Sequence, residues 1–102
     1  MSDEDNPVGG LDDVIHQRVR LGILAALSEA KSADFSYLRN ALEVTDGNLS
    51  RHLQVLEKAG LVALEKTFEG KRPKTWISAT REGRTAFANE MRKLKSLVNR
   101  YG

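Results

Sequence analysis

The stretch that begins at Thr45 and ends at Gly60 constrains the fold of this chain more than any other. Leu49, Leu53 and Leu56 recur at spacings of four and three residues, which predicts one narrow apolar stripe along an α-helix. Thr45 is suited to cap the start of that helix, because its hydroxyl can accept a backbone N–H bond. Gly60 can take the left-handed conformation that ends a helix with little strain. The pattern therefore predicts a short helix that buries one side.

The opposite side of the predicted helix, residues 45–59, is polar. Successive residues lie about 100° apart around a helix, so the side chains opposite the leucines should point away from the core. Amide, hydroxyl and guanidinium groups of this kind can hydrogen-bond to base edges or phosphates. The predicted outward residues, called the polar face below, are Gly47, Asn48, Ser50, Arg51, Gln54 and Lys58.

A second short helix is predicted just before this one. Asp34 is suited to cap it, and Phe35, Leu38 and Leu42 fall at helical spacing. Only two residues separate Leu42 from Thr45, so a tight turn should join the two helices. This arrangement predicts a helix-turn-helix.

The segment that follows the second helix predicts a β-hairpin. Residues 61–68 and 75–79 are rich in β-branched and aromatic side chains, which favour strands. The connection between them, residues 69–74, contains glycine and proline, and its length predicts a loop longer than a two-residue turn. We call residues 69–74 the wing; its cations Lys71, Arg72 and Lys74 can neutralise phosphates. The alternative interpretation is a solvated turn that its charge keeps from aggregating.

Together these elements resemble the winged helix-turn-helix transcriptional regulators of the MarR and ArsR kind. The resemblance runs from about Leu11 to the end of the chain and implies a mainly α fold with a small β-hairpin, about four helices plus a two-stranded wing. It implies that helix 45–59 lies in the major groove of double-stranded DNA and the wing on the backbone or in the minor groove. The segments that carry the resemblance are RLGILAAL, NLSRHLQVLEKAGLV, FEGKRPKTW and SATREGRTAF.

The first and last helices offer more apolar surface than one small domain needs. Residues 11–30 predict a long first helix with two apolar sides, and Thr80 is suited to cap a last helix with a heptad-like apolar seam that starts at Phe87. One alternative is that these two helices only cover each other. MarR-type regulators pair through terminal helices, so the resemblance implies a homodimer. The predicted interface residues are Leu11, Val14, Leu21, Met91, Leu94, Val98 and Tyr101.

Charge is distributed unevenly along the chain. The net charge is only +2, yet residues 1–70 carry 7 basic and 12 acidic side chains, and residues 71–102 carry 9 basic and 2 acidic ones. This asymmetry predicts that the C-terminal third faces a polyanion. Residues 1–10 are acidic and lack apolar periodicity, which predicts a disordered tail ahead of a single domain over residues 11–102.

Several classes of function are disfavoured by what the sequence lacks. The absence of cysteine excludes disulfides and the thiolate sites of ArsR-type metal sensors, and we interpret His16 and His52 as structural residues rather than metal ligands. The sequence contains no glycine-rich phosphate loop after a strand and no spacing typical of a nucleophile and its base, so it indicates neither a cofactor site nor an enzyme. No apolar run approaches the roughly 20 residues of a membrane span. We therefore expect a soluble, cytoplasmic protein that uses no cofactor or metal.

Two functions fit these observations. The first is a sequence-specific regulator of transcription that binds double-stranded DNA as a homodimer. The alternative is a winged-helix protein-interaction module of a transcription assembly. Residues 34–58 carry three basic and four acidic side chains, so the helix-turn-helix is not electropositive, which keeps the alternative open. A small-molecule effector between the first and last helices is compatible with the resemblance, although no residue identifies one.

Overall fold

The computed structural model describes Val14 and residues 17–101. The predicted tail over residues 1–10, as well as Leu11 and His16, lies outside the described residues. Within them, four α-helices pack with one three-stranded antiparallel sheet in the order β1-β3-β2, which confirms the predicted mainly α fold with a β-hairpin. The elements in chain order are α1 (Arg18–Glu29), β1 (Ala33–Asp34), α2 (Phe35–Leu42), α3 (Asp46–Lys58), β2 (Val62–Glu69), β3 (Arg72–Ala79) and α4 (Arg81–Tyr101). No helix of this described part has the length and apolar character to cross a membrane.

The first helix is shorter than the sequence pattern predicts. Val14 lies in a turn, and α1 begins only after Gln17. The Gln17 side-chain oxygen caps the helix by accepting from the backbone N–H groups of Val19 and Arg20, at 2.8 and 3.1 Å. The prediction of a helix from residue 11 was therefore wrong at Val14, since a glutamine that lies outside the usual capping residues sets the start.

The caps of the other helices follow the predictions. The Asp34 carboxylate accepts from Tyr37 N–H at 2.7 Å and the Thr45 hydroxyl accepts from Asn48 N–H at 3.1 Å, which confirms both as N-caps. Gly60 has a φ of +79°, the left-handed conformation predicted for the end of α3. These short-range contacts fix the limits of both helices of the helix-turn-helix.

Two features of the sheet differ from the prediction. A third strand, β1, pairs with β3 through Ala33 opposite Ile77, where no strand was predicted. The connection between β2 and β3 is a two-residue turn of Gly70 and Lys71, so the inference of a longer connection was wrong. Gly70 has a φ of +66°, and a positive φ at only the first central residue fits a type II′ turn, whose twist matches a hairpin.

The core is formed by α1, the helix-turn-helix and the sheet. As predicted, the leucine stripe of α3 is buried, with Leu49, Leu53 and Leu56 exposed by 0, 1 and 0%. The stripe therefore holds α3 against the body of the domain over its whole length. The other buried apolar residues are Val19, Ile23, Leu24, Leu27, Ala33, Leu38, Leu61, Val62 and Ile77.

The start of α4 is fastened to the end of α3. The Thr80 hydroxyl accepts from Gly83 N–H at 3.0 Å, which confirms Thr80 as a cap, and donates to the carbonyl oxygen of Gly60 at 2.6 Å. A Cβ atom at Gly83 would lie 2.0 Å from the carbonyl oxygen of Leu61, so only glycine fits there. The sequence gives no signal for this role of Gly83, because a close backbone approach between distant segments leaves no local pattern.

Candidate nucleic-acid interface

The polar face of α3 points to solvent as predicted. The three leucines are buried on one side of the helix, and all six residues of the polar face, on the other side, are exposed. A Cβ atom at Gly47 would meet nothing within 4 Å, so this glycine leaves open space near the start of the helix. A helix N-terminus with free space beside it can approach a phosphate through its backbone N–H groups.

Two of the predicted base-reading side chains are joined to each other. Arg51 donates from Nη2 to Asn48 Oδ1 at 2.6 Å, and both residues are exposed. The bond holds the guanidinium of Arg51 over the first turns of α3. An arginine held in this way loses less side-chain freedom when it binds, which favours it as a donor of paired hydrogen bonds.

An ion pair joins the two helices of the helix-turn-helix. Arg39 of α2 donates from Nη1 to the Asp46 carboxylate in the first turn of α3, at 2.9 Å. Between them the chain turns at Glu43, which adopts a left-handed conformation with a φ of +55°. The role of Arg39 is not evident from the sequence, since two residues seven apart across a turn have no characteristic spacing.

The turn of the hairpin carries two exposed cations. Lys71 lies in the turn and Arg72 begins β3, and within the described residues neither forms an ion pair or a side-chain hydrogen bond. Their charges are therefore not neutralised inside the domain. They remain the predicted phosphate-binding residues of the wing.

Lys74, the third predicted cation of the wing, has partners within the domain. Its Nζ lies 2.9 Å from a Glu69 carboxylate oxygen and 3.7 Å from a carboxylate oxygen of Asp34, and it sits 4.9 Å from the centre of the Trp76 ring. The hydrogen bond to Glu69, followed by the charges of Glu69 and Asp34, raises the pKa of Lys74 above its usual value. Lys74 thus links the hairpin to the N-cap of α2, and its predicted contact with DNA would compete with these partners.

His52 lies on α3 beside the polar face and is half-buried. Burial, and then the nearby charges of Arg20 and Arg51, lower the pKa of His52 below its usual value near 6.5. The imidazole is therefore neutral at pH 7 and adds no charge to the interface. No group of three or more histidine, aspartate or glutamate side chains in the described part of the chain is arranged to hold a metal ion.

The six predicted dimer residues that the structure describes differ in burial: four are partly buried against the domain, and two are exposed. Val14 packs against the core, and Leu21, Met91 and Leu94 are half-buried outside the core cluster. Farther along α4, Val98 and Tyr101 are exposed by 65 and 69%. The seam of α4 therefore joins the core near Phe87 and leaves it toward the C-terminal end of the helix.

Comparison with known proteins gives consistent matches across nearly the whole domain. The family model described as the winged helix DNA-binding domain matches residues 19–98. An uncharacterized protein of Methanocaldococcus jannaschii is 39% identical over 84 residues, which are 82% of this chain and 91% of that protein.

Solved structures give the same assignment. The structure of a transcriptional regulator homologue protein from Pyrococcus horikoshii OT3 is similar with a TM-score of 0.84 and 31% identity, over 95% of each chain. A MarR family transcriptional regulator from Silicibacter pomeroyi shares the fold, with a TM-score of 0.65 and 23% identity over 82% of this chain and 56% of that one.

Proposed function

The chain belongs to the winged helix DNA-binding domain family, and we propose that it is a transcriptional regulator that binds double-stranded DNA in a sequence-specific manner as a homodimer. The observation that carries this proposal is the exposed polar face of α3, whose opposite side is wholly buried. The family consists of DNA-binding domains rather than enzymes, in agreement with the expectation that this chain has no catalytic activity.

In the proposed complex α3 lies in the major groove. Arg51 can bond the O6 and N7 atoms of a guanine, while Asn48 or Gln54 can bond N6 and N7 of an adenine. Gly47 lets the backbone of α3 come close to a phosphate. Ser50 and Lys58, at the edges of the polar face, contact the sugar–phosphate backbone of the DNA. Lys71 and Arg72 neutralise phosphates on the backbone or beside the minor groove, which supplies affinity without regard to sequence.

The proposed homodimer forms through α1 and α4. Exposed Val98 and Tyr101, with half-buried Met91 and Leu94, make an apolar strip that is longer than the core beneath it. A two-fold axis would present two copies of α3 to half-sites about 34 Å apart, which predicts a pseudo-palindromic operator. In a cell without a nucleus the operator lies in the cytoplasm, and the proposal assigns the protein to that compartment.

Mobility shift with random duplex DNA at low salt tests the proposal most directly. A DNA-binding regulator retards the duplex, loses affinity as salt rises, and enriches a pseudo-palindrome when bound molecules are selected and amplified. A protein-interaction module leaves every duplex unretarded even at 50 mM salt. That result would favour the alternative, which draws its support from the near-neutral charge of residues 34–58.

Sedimentation equilibrium at tens of micromolar tests the dimer. This range lies above a micromolar dissociation constant, which corresponds to about −8 kcal/mol. Leu94→Glu, and the more exposed Val98→Glu as a variant with less risk to folding, should give monomer mass, because a carboxylate in an apolar seam must be desolvated without a partner. Wild-type protein at monomer mass with and without DNA would end the homodimer proposal.

A further inference from the structure

The most exposed of the large apolar side chains in the described residues is Phe68, at 73%. Phe68 is the last residue of β2 but one, and it lies directly opposite Pro73 on β3. The next pair on the same face of the hairpin toward the core is Lys66 opposite Thr75, followed by Leu64 opposite Ile77. At ~3.3 Å per residue, Phe68 stands about 13 Å along the strand beyond Leu64, the last apolar residue of β2 that packs against the core.

The surroundings of Phe68 are cationic rather than apolar. Lys71 in the turn and Arg72 at the start of β3 are exposed, and neither has an ionic partner within the described part of the chain. Glu69, which follows Phe68 in β2, is acidic, and it is paired with Lys74. The turn end of the hairpin therefore presents a phenyl ring and a proline ring on one face. Lys71 lies in the adjoining turn, and Arg72, which lies opposite Glu69 in the strand register, is on the other face of the same end.

This combination fits the minor groove of double-stranded DNA. Phosphates line both edges of that groove, and the base faces that are exposed when a step unstacks are apolar. A phenylalanine there can press between two base pairs and partly unstack them, and the neighbouring cations neutralise the phosphates on either side. Pro73 stiffens the support under Phe68, because its ring fixes φ.

We propose that Phe68, backed by Pro73, is an apolar wedge that enters the minor groove beside the wing and selects deformable base steps. Pyrimidine–purine steps such as TA and CA unstack more easily than A-tract steps, so the wedge generates specificity at positions that no side chain reads by hydrogen bonding. This inference rests on the proposed function, and it adds a second, shape-based element of recognition to the base contacts of α3.

The experiment uses the full chain and a duplex selected from random DNA by the wild-type protein. The base step under the wing is located by placing a TA step or an AA step at each position outside the α3 half-sites and measuring affinity by fluorescence anisotropy. We expect wild-type protein to prefer TA over AA by about fivefold or more at one position per half-site, the lower end of what one unfavourable base pair costs. A 2-aminopurine beside that step should brighten on binding, because an unstacked base is less quenched.

Three variants separate the wedge from simple contact. Phe68→Ala should lose the preference for TA and the 2-aminopurine signal, whereas Phe68→Leu should keep most of both, because leucine is also an apolar wedge. Tyr37→Ala removes an aromatic side chain on α2 that is 59% exposed, and it should leave the step preference unchanged. Phe68 makes few contacts with the domain, so circular dichroism melts of Phe68→Ala should overlay those of the wild type.

The opposite results are equally specific. Binding by the wild type without any step preference, or an equal loss of affinity on TA and AA duplexes in Phe68→Ala, overturns this inference and leaves the proposed function standing. A fall to monomer mass in Phe68→Ala would assign Phe68 to a protein interface and also overturn it. Failure of wild-type protein to retard any duplex at low salt would overturn the proposed function and the wedge together.

Discussion

Helix α3 and the wing are held in the domain in different ways. Three leucines with at most 1% exposure fix α3 to the core, whereas the turn end of the hairpin has no buried side chain beyond Ile77 and is joined to the body through Lys74. The polar groups of α3 are partly paired with each other, while Lys71 and Arg72 in the wing are not. Packing thus gives α3 a fixed geometry, and the wing carries charge that is free to meet phosphate.

Two of the four acidic residues in residues 34–58 are engaged at helix ends. Asp34 caps α2, and Asp46 lies in the first turn of α3, where a negative charge is favoured by the helix dipole. Each is also ion-paired, Asp34 with Lys74 and Asp46 with Arg39. These two acids therefore serve helix ends rather than an acidic surface, and attraction to a polyanion is left to the wing.

Removal of a buried leucine should have the largest effect. Leu53→Ala should destabilise the fold by about 2–5 kcal/mol through lost burial and the cavity that remains, as measured by urea denaturation. Phe68→Ala deletes an even larger side chain from the exposed end of the hairpin and should change the free energy of unfolding by less than about 0.5 kcal/mol. Equal destabilisation by the two variants would erase the difference between the packed helix and the protruding hairpin.

Some parts of this architecture can be read from the sequence because their causes are local. The leucine stripe of α3 follows from helical spacing, and the caps at Asp34, Thr45 and Thr80 follow from side chains that bond within three residues of themselves. Gly60 ends α3 for a similarly local reason. These signals also identify the polar face, since whatever lies opposite a buried stripe must face solvent.

The parts that the sequence did not reveal depend on distant segments. Strand β1 has only two residues and exists because Ala33 lies beside Ile77. From the sequence Lys74 is predicted to be a third cation of the wing, but in the fold it pairs with Asp34, forty residues earlier in the chain. Pro73 was expected in the connection between the strands, although it lies in β3 in register opposite Phe68. Such pairings have no fixed spacing, so a single sequence contains no pattern that predicts them.

Neutralising the wing should have the next largest effect. Lys71→Ala/Arg72→Ala should weaken binding to the operator and to random DNA alike, because phosphate contacts carry no base information. In a dimer the log–log salt dependence should become shallower by up to about 3.6, if all four cations contact phosphates at ~0.9 each. Fluorescence anisotropy between 50 and 300 mM salt measures the slope.

Two control variants show whether the position of the charge matters. Arg18→Ala/Lys31→Ala changes the net charge by the same amount at exposed positions at the start of α1 and just after its end, outside the basic C-terminal third, and it should leave most of the slope intact. Lys74→Ala should also leave the slope intact if the pairs with Glu69 and Asp34 persist on DNA, while it loosens the hairpin and accelerates hydrogen exchange in β3. A shallower slope for Lys74→Ala would assign that lysine to phosphate, as the sequence predicts.

Base reading by α3 should appear as a smaller effect that depends on sequence. Arg51→Ala should cost about 1–3 kcal/mol on the operator and much less on random DNA. Asn48→Ala and the double variant complete a cycle, and the bond between Arg51 and Asn48 predicts that the two losses are not additive. Equal losses of affinity on both DNAs for Arg51→Ala would mean that Arg51 contacts phosphate and reads no base, as proposed for the cations of the wing.

The smallest effect should come from the titration of His52. Burial, with the charges of Arg20 and Arg51, lowers its pKa in the folded protein below the unfolded value near 6.5. The unfolded chain therefore takes up the proton first, so the stability contributed by neutral His52 is complete above pH 6.5 and is lost as the pH falls through the folded pKa.

Urea midpoints at pH 7.5 and pH 5 for the wild type and for His52→Gln measure this contribution. The wild type should lose more stability between the two pH values, since glutamine does not titrate and His16 is common to both proteins. Because the protonated ring would lie beside two arginines, the difference should widen at low salt, where repulsion is less screened. Parallel pH dependence in the two proteins would mean that His52 is solvated in the folded state, and that α3 is less closely packed around His52 than around its leucines.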